Sequence, residues 1–183
     1  MIYLIGGVAK GGKTYIAKKI MKEKNIPYFS TDFLLWSLSD RSLFGLKHSD
    51  PDYIASPILE PFITSIIDYL IWNEDEYVLE GTHITPSLVR KLNEKYSEKI
   101  KACFLGYESS SSEEKFEEIM KNESALNNKW YRVLSKEEFK KFLKEKIKES
   151  KTLKETCERM SFKYFEVSDI ASQSSAIIDY LFN

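Results

Sequence analysis

The feature that most constrains this chain is an eight-residue stretch near its N terminus, Gly-Val-Ala-Lys-Gly-Gly-Lys-Thr at residues 7–14. The stretch matches the pattern Gly-x4-Gly-Lys-Ser/Thr in full. An apolar run at residues 2–5 precedes it, and apolar residues at helical spacing follow from Lys13. A strand, a glycine-rich turn and a helix N terminus in that order predict a phosphate-binding loop, because the turn and the helix aim backbone N–H groups at an anion.

Each residue type in this loop has a physical role. The glycines allow a tight turn, Lys13 is expected to reach the β and γ phosphates of ATP or a close relative, and Thr14 is expected to place its hydroxyl on Mg2+. The residues expected to bind the nucleotide are Gly7, Lys10, Gly11, Gly12, Lys13 and Thr14. The alternative is a glycine-rich turn with an exposed lysine, which does not account for the flanking strand and helix.

Apolar runs alternate with helical patterns along the rest of the chain. Strands are predicted over residues 2–5, 27–30, 77–79, 100–105 and 163–167, and helices over 13–24, 57–72, 85–96, 112–121, 135–160 and 172–182. Residues 39–56 are polar and predict a loop with short helical pieces. The alternation indicates an α/β fold in which a five-stranded parallel sheet carries helices on both faces.

Residues that are distant in the sequence are expected to meet at one edge of this sheet. In open parallel sheets the ligand lies beyond the carboxyl ends of the strands. Gly6, Asp32, Glu80 and Gly106 fall at or just past the ends of the first four predicted strands. The same edge is therefore expected to hold both the phosphate loop and the residues that serve it.

Composition limits the classes of partner. A length of 183 residues fits one domain, and a formal net charge of −1 argues against a broad nucleic-acid or membrane-surface footprint. No apolar run approaches the ~20 residues of a membrane span, and no signal peptide is apparent. Cys103 and Cys157 are expected to be core residues. We expect a single cytoplasmic domain over residues 1–183 that binds a small molecule, with neither a nucleic acid nor a membrane as partner.

Two classes of phosphate-loop protein fit this sequence poorly. A GTPase should carry the guanine-reading pattern Asn-Lys-x-Asp, and the nearest string, Asn-Lys-Trp-Tyr at residues 128–131, lacks the Asp. An ATP-driven motor or helicase usually has a longer chain and an apolar strand that ends in Asp, whereas the third predicted strand here ends in Glu80. These points favour a small phosphotransferase.

Three segments carry a resemblance to a known family. They are the phosphate loop, Ser-Thr-Asp at residues 30–32 after the second strand, and Val-Leu-Glu-Gly-Thr-His-Ile-Thr-Pro at residues 78–86 after the third. In order and spacing they resemble the 2-phosphoglycerate kinase-like group of small P-loop kinases, which is related to nucleoside monophosphate kinases, shikimate kinase and zeta toxins. The resemblance implies a three-layer P-loop NTPase fold with strand order 2-3-1-4-5. It also implies a lid over the phosphates, placed at about residues 108–134, and transfer of the γ-phosphoryl of ATP to a small acceptor.

Three polar residues near the predicted site have both a functional and a structural interpretation. Asp32 is a candidate catalytic and substrate-binding residue that orients or deprotonates an acceptor hydroxyl or helps to hold Mg2+ through water, or it is a helix N-cap. Glu80 is a candidate for holding Mg2+ together with Thr14, through water, or it is a surface acid at a strand end. His83 is a candidate acceptor-binding residue, since the matching region of the resembled family borders the acceptor, or it is a polar cap of the next helix.

Only four of the 27 basic residues are arginines, which are the preferred partners of phosphoryl groups. Arg132 lies within the expected lid, directly after the polar segment 122–131, and is a candidate for stabilising the transferring phosphoryl group, or it is a solvated arginine near a helix start. Arg41 is a candidate for binding an acidic acceptor. Residues 33–36 are Phe-Leu-Leu-Trp, where relatives with phosphorylated acceptors often carry an arginine. That departure disfavours a phosphorylated acceptor and favours either a partly apolar pocket or core packing.

Three functions remain open on the sequence alone. The first is an ATP- and Mg2+-dependent small-molecule kinase. The second is a nucleotide-binding regulatory protein that has kept the loop without efficient turnover, and the low arginine content motivates it. The third is a zeta-toxin-like kinase. The first and third require Asp32 and Lys13 for turnover, whereas the second requires only the loop for binding.

Overall fold

The computed structural model describes residues 1–40, 43–96, 98–122 and 130–183. The strands are β1 (Ile2–Gly7), β2 (Tyr28–Ser30), β3 (Tyr77–Glu80), β4 (Ile100–Gly106) and β5 (Lys163–Glu166). The helices are α1 (Lys13–Lys24), α2 (Thr31–Asp40), α3 (Asp52–Trp72), α4 (Pro86–Tyr96), α5 (Ser112–Lys121), α6 (Lys136–Arg159) and α7 (Ile170–Phe182). Short 3-10 helices cover Leu43–Gly45 and Trp130–Val133.

The five strands form one parallel sheet in the order β2-β3-β1-β4-β5. The α/β fold and the strand order expected from the sequence are therefore confirmed. In the register of the sheet, Ile5 of β1 and Ser30 of β2 both lie beside Glu80 of β3. The carboxyl ends of these three strands are thus level, which brings the residues that follow them to one edge.

The core lies on both faces of the sheet. In β1, Ile2 and Leu4 face the side covered by α2, α3 and α4, whereas Tyr3 and Ile5 face the side covered by α1 and α7. Alternate residues of a strand point to opposite faces, so a strand that is apolar throughout is buried on both. This arrangement gives the three layers expected of the fold. Cys103 and Cys157 are both buried, as predicted.

Helix α3 begins at Asp52, earlier than the predicted start at residue 57, and contains Pro57 and Pro61. A proline inside a helix removes one backbone hydrogen bond and usually breaks the helix. Here the two prolines are four residues apart on the exposed side of α3, whereas Leu59 and Ile63 are buried in the core. The carbonyl groups that lose their partners therefore face solvent, and burial of the opposite face keeps the helix continuous.

By length and composition, α3 could cross a membrane, and it is the one such helix in the part of the chain that the structure describes. The sequence showed no apolar run of that length because Glu60 and Asp68 interrupt it. Core helices of water-soluble domains can have the same length and composition, so these two properties do not identify a membrane span. The apolar side of α3, including Leu59 and Ile67, packs in the core of this domain.

Helices α5 and α6 pack against each other beside the sheet around a small cluster of their own. Its buried members are Ile119, Tyr131, Phe139 and Leu143. Capping boxes begin both helices, at Ser111 and at Ser135, and the second was predicted from the sequence. The predicted lid at residues 108–134 spans α5 and the 3-10 helix Trp130–Val133, but its residues 123–129 lie outside the described part of the chain. The lid stays a prediction.

Candidate functional site

The loop between β1 and α1 follows a backbone path that glycine favours. Gly7 and Gly12 have φ values of 131° and 91°, and Lys10 adopts a left-handed conformation at 63°. Within the loop, the Gly11 N–H donates to the Val8 carbonyl at 3.2 Å, while the Val8 N–H donates to Leu105 at 3.1 Å. The second bond fixes the loop to the C-terminal end of β4. The loop then leads into the N terminus of α1, where an anion is favoured.

Lys13, the first residue of α1, is buried with 7% of its surface exposed. Its ammonium donates to the Val8 carbonyl oxygen at 2.7 Å. Burial lowers the pKa of this ammonium, and the charges of Glu80, Asp32 and Asp52 act in the opposite direction. An ammonium has three donors, so Lys13 can keep the loop contact and also bind a phosphate oxygen. The alternative of an exposed lysine does not describe this residue.

Thr14 and Glu80 form the second element of the site. The Thr14 hydroxyl donates to Glu80 Oε1 at 3.0 Å, and Glu80 is 2% exposed, so it is not the surface acid of the alternative interpretation. Burial raises the pKa of the Glu80 carboxyl, whereas the nearby Lys13 charge lowers it. Hydroxyl and carboxylate oxygens are ligands that Mg2+ accepts. In the described ranges no group of three His, Cys, Asp or Glu side chains could hold a metal by itself, so an ion here would also need phosphate oxygens and water.

A polar network lies beside these residues, at the ends of β2 and β3. The Thr31 hydroxyl and His83 Nδ1 are 3.0 Å apart, and both side chains are buried. His83 Nε2 has no hydrogen-bond partner and lies 3.7 Å from Asp52 Oδ1 at the start of α3. Asp52 accepts a hydrogen bond from the Thr82 hydroxyl at 2.9 Å. His83 therefore bonds across the sheet edge, while Thr85 caps α4 through the Leu88 N–H at 3.2 Å.

One cavity of about 420 Å³ collects most of the predicted site. The predicted residues that line it are Lys10, Gly12, Lys13, Thr14, Asp32, Glu80 and His83. Asp32 is the second residue of α2, and its N–H lies 3.4 Å from the Ser30 hydroxyl. Gly7 and Gly11 shape the loop behind the lining. The roles assigned to all of these residues stay predictions.

Two predicted residues are not part of this cavity as described. Arg132 is exposed and lines a separate cleft of about 190 Å³ with Phe116 and Met120, between α5 and α6. Arg41 lies outside the described residues. Their assignments to phosphoryl stabilisation and to acceptor binding therefore stay predictions that no distance supports.

Lys146 and Asp52 line the cavity but were not singled out in the sequence. Lys146 lies on α6, whose many lysines suggested a solvated face. However, it follows Phe142 by four residues and Phe139 by seven, so it falls on the apolar stripe of the helix. A charged residue on a buried stripe was the available signal. Asp52 had none, because it lay in a segment predicted to be a loop.

The aromatic residues after Asp32 contribute less to the cavity than expected. Phe33 and Trp36 are 58% and 60% exposed, and of the four residues 33–36 only Leu35 lines it. The partly apolar pocket considered from the sequence therefore receives one of these four side chains.

Lys10 connects the loop with the 3-10 helix Trp130–Val133. Its ammonium lies 5.1 Å from the ring centre of Trp130 and 4.3 Å from that of Tyr131, distances typical of cation–π contacts. Burial, together with the nearby Lys13 charge, lowers the pKa of Lys10 to about 8. The phosphate loop and the region of the predicted lid are thus in direct contact.

His83 is expected to make stability depend on pH near neutrality. Burial lowers its pKa, Lys13 acts in the same direction, and Asp52 and Asp32 act against them. The unfolded chain therefore takes up the proton first as pH falls below about 6.5. The contribution of neutral His83 to folding stability is fully present above that pH and is lost as pH falls towards the folded-state pKa.

Urea denaturation between pH 7.5 and pH 5.5 tests this dependence. The unfolding free energy of His83→Gln should decline less steeply with falling pH than that of the wild type. Equal slopes for the two proteins would contradict the assignment.

Comparison with known proteins supports the fold through structure and not through sequence. No protein-family model and no curated protein matches the sequence. Among solved structures, an uncharacterized protein from Eubacterium ventriosum has a TM-score of 0.56 at 17% identity and covers 100% of this chain and 99% of its own. A shikimate kinase from Bacteroides thetaiotaomicron has a TM-score of 0.55 at 12% identity with the same coverage. A deoxyadenosine kinase from M. mycoides with bound dATP has a TM-score of 0.53 at 14% identity and covers 100% of both chains.

These similarities define the class of fold to which the chain belongs. It has the fold of small P-loop kinases, with the sheet order β2-β3-β1-β4-β5 flanked by helices. At identities below 20% the likeness concerns the fold and carries no substrate with it.

Proposed function

We propose that this protein is a kinase that transfers the γ-phosphoryl group of Mg-ATP to a hydroxyl group of a small-molecule acceptor. The observation that carries the proposal is that Lys13, Thr14 and Asp32 line the same cavity. A phosphate-binding loop and a carboxylate within one cavity are the parts that phosphoryl transfer to a hydroxyl requires. The resemblance to the 2-phosphoglycerate kinase-like group and the kinase fold both support this function.

In the proposed reaction the chain binds the nucleotide, positions the acceptor and removes a proton from the acceptor hydroxyl. Backbone N–H groups of the loop and the Lys13 ammonium bind the terminal phosphates and stabilise charge on the transferring group. Asp32 orients the acceptor hydroxyl and accepts its proton as the oxygen–phosphorus bond forms and the bond to ADP breaks. Lys13 and Asp32 are close enough for the Asp32 charge to raise the pKa of the Lys13 ammonium, against the effect of burial. The buried loop and the neighbouring β4 keep water away from one side of the phosphates.

Mg2+ fits the residues that are present. Thr14 would contribute its hydroxyl and Glu80 would hold a bound water, since the two side chains are already hydrogen-bonded at 3.0 Å. When bound, the ion neutralises charge on the phosphate oxygens. Its positive charge also favours the ionised form of Glu80, against the effect of burial.

The cavity of about 420 Å³ suits a small acceptor, and we propose that the protein acts in the cytoplasm. The formal net charge of −1 offers no broad surface for nucleic acid, and α3 packs in the core rather than standing free for a membrane. A zeta-toxin-like kinase uses the same loop and carboxylate on a larger, nucleotide-linked acceptor. Acceptor panels distinguish the two.

The second candidate, a nucleotide-binding regulatory protein, is favoured by the position of the arginines. Within the described ranges, Arg90, Arg132 and Arg159 all lie away from the cavity, so no described guanidinium faces the transferring group. Turnover of ATP with Mg2+ across phosphoglycerates, nucleosides, nucleoside monophosphates, sugars and sugar acids decides between the candidates. Acceptor-dependent turnover supports the kinase, and tight ATP binding without any turnover supports the regulatory protein.

Replacing Asp32 by asparagine is expected to separate binding from chemistry. The amide keeps the shape of the side chain but cannot take the hydroxyl proton, so the acceptor-dependent kcat should fall about 10²–10⁴-fold. Nucleotide affinity, measured by calorimetry with a non-hydrolysable ATP analogue, should stay within about threefold, because the carboxylate does not belong to the loop.

Asp75→Asn is the matched control, since Asp75 is exposed before β3, at the opposite end of the sheet. It should leave both turnover and binding unchanged. Full turnover by the Asp32→Asn protein would remove Asp32 from the proposed mechanism.

A further inference from the structure

The cavity also contains a buried polar atom without a partner, on His83 after the end of β3. His83 is 2% exposed, and its Nε2 makes no hydrogen bond although the side chain lines the cavity. A buried polar atom left unsatisfied costs about 1–3 kcal/mol, so such an atom usually indicates a missing ligand or water. Its Nδ1 is already engaged by Thr31 at 3.0 Å, which fixes the direction in which Nε2 points.

Asp52 supplies the complementary acceptor beside this nitrogen. Its Oδ1 lies 3.7 Å from His83 Nε2, too far for a direct hydrogen bond, and already accepts from Thr82 at 2.9 Å. A hydroxyl group placed between the two side chains can accept a hydrogen bond from His83 Nε2–H and donate its own hydrogen to the Asp52 carboxylate. Asp32 lines the same cavity and can accept from a second hydroxyl. The two carboxylates and the imidazole together suit a molecule with neighbouring hydroxyl groups.

The charges around His83 and Asp52 disfavour an anionic acceptor. The ammonium of Lys146 lies 3.7 Å from Asp52 Oδ2 and donates to both Glu149 oxygens at 2.8 Å. Two carboxylates therefore compensate its charge. The other lysines of the lining, Lys10, Lys13 and Lys18, belong to the phosphate loop and α1. A phosphate or carboxylate group placed beside Asp32 and Asp52 would meet two carboxylates, and Lys146, the lysine that the described residues place against Asp52, is already compensated.

We propose that His83 and Asp52 form a subsite for an uncharged polyhydroxylated acceptor, either a free sugar or cyclic polyol or the ribose of a nucleoside. This inference rests on the proposed function and adds the class of its acceptor. One hydroxyl of the acceptor meets His83 Nε2 and Asp52, and a second meets Asp32. The second oxygen forms the new bond to the γ phosphorus, its proton passes to Asp32, and ADP leaves with the electrons of the broken bond.

The test uses the full chain saturated with Mg2+ and a non-hydrolysable ATP analogue. Calorimetry measures the binding of this analogue independently. The protein contains two histidines, so imidazole resonances in NMR spectra are assigned by comparison with His83→Gln. Matched probes are ribose and ribose 5-phosphate, glucose and glucose 6-phosphate, adenosine and AMP, with myo-inositol and 3-phosphoglycerate added. We expect a saturable shift of the His83 resonance with at least one neutral member and binding at least about tenfold weaker for its phosphorylated counterpart. Response to ribose or inositol identifies the free polyol, and response to adenosine alone identifies the nucleoside.

Asp52→Asn gives a signature that a merely structural role would not produce. Neutralising this carboxylate should weaken binding of the neutral probe about tenfold and strengthen that of the phosphorylated probe, because one hydrogen bond is weakened and one repulsion is removed. Asp179→Asn, on the exposed side of α7, is the control and should change neither. If Asp52→Asn does not fold, His83→Gln measured by calorimetry serves as the second variant, with a loss of about tenfold for the neutral probe.

Two results would overturn the subsite and leave the phosphate loop intact. One is tighter binding of the phosphorylated probes, and the other is a His83 resonance that responds to no neutral probe while the nucleotide analogue is bound. Failure of the ATP analogue to bind would instead overturn the proposed function. The two failures are thus distinguishable in the same samples.

Discussion

Lys13→Met is expected to lower phosphoryl transfer by about 10²–10³-fold or more, because it removes the ammonium that binds the phosphates during transfer. Methionine fills a similar volume, so the buried position beside Val8 remains occupied. Nucleotide affinity should fall as well, since the contact exists before the reaction begins. Calorimetry with an ATP analogue and an acceptor-dependent ADP assay measure the two effects. Circular dichroism verifies that the variant is folded.

The matched control for this prediction is Lys22→Met, on the same helix but exposed. It changes the net charge by the same amount and should leave binding and turnover within about twofold. Loss of Lys13 also removes the cation that lowers the pKa of Glu80, so that pKa should rise further above its usual range. Unchanged ATP affinity in Lys13→Met would show that residues 7–14 are not the phosphate site.

Gly7→Ala is expected to destabilise the fold by about 3–5 kcal/mol, a large part of the total stability of a domain. A Cβ at this position would lie 2.1 Å from the Leu105 carbonyl oxygen, and the φ of 131° is strained for any residue with a side chain. The obstacle is backbone of β4, so no side chain can rotate away. Urea denaturation followed by circular dichroism gives the change in unfolding free energy.

Gly45→Ala separates the two causes of that loss. Gly45 has a φ of +70° but no atom within 4 Å of its built Cβ, so only the backbone strain applies. Its cost should be about 1–2 kcal/mol. Similar losses for the two variants would mean that strain alone, and not the approach of β4, makes glycine necessary at residue 7.

The fold was largely predictable because its signals are local. The β1 run, the loop and α1 are contiguous, and the alternation of apolar runs with helical patterns fixes a parallel sheet. The N-terminal part of α3 was missed since Pro57 and Pro61 normally end helices, and only burial of the opposite face explains their tolerance. That burial is a property of the assembled domain, which no short window of sequence contains.

The candidate site was predictable where a motif or a strand end marked the residue. Lys13, Asp32, Glu80 and His83 line one cavity because they follow strands that end level with one another. Lys146, by contrast, comes from α6, almost at the other end of the chain, where one lysine among many gives little signal. Arg132 was chosen for its position within the expected lid, but the 3-10 helix that carries it places Trp130, and not Arg132, in the lining of the cavity.

The contact between Lys10 and Trp130 offers an intrinsic fluorescent probe of the phosphate loop. The indole of Trp130 packs edge-on to Phe142, with ring centres 5.0 Å apart, and has the Lys10 ammonium 5.1 Å from its centre. Of the three tryptophans, Trp36 and Trp72 are more exposed, at 60% and 78% against 41% for Trp130. With those two replaced by phenylalanine, we expect the emission of the remaining indole, Trp130, to respond to changes of charge in the phosphate loop. Occupancy of the loop can then be read in real time without labelled nucleotide or a coupled assay.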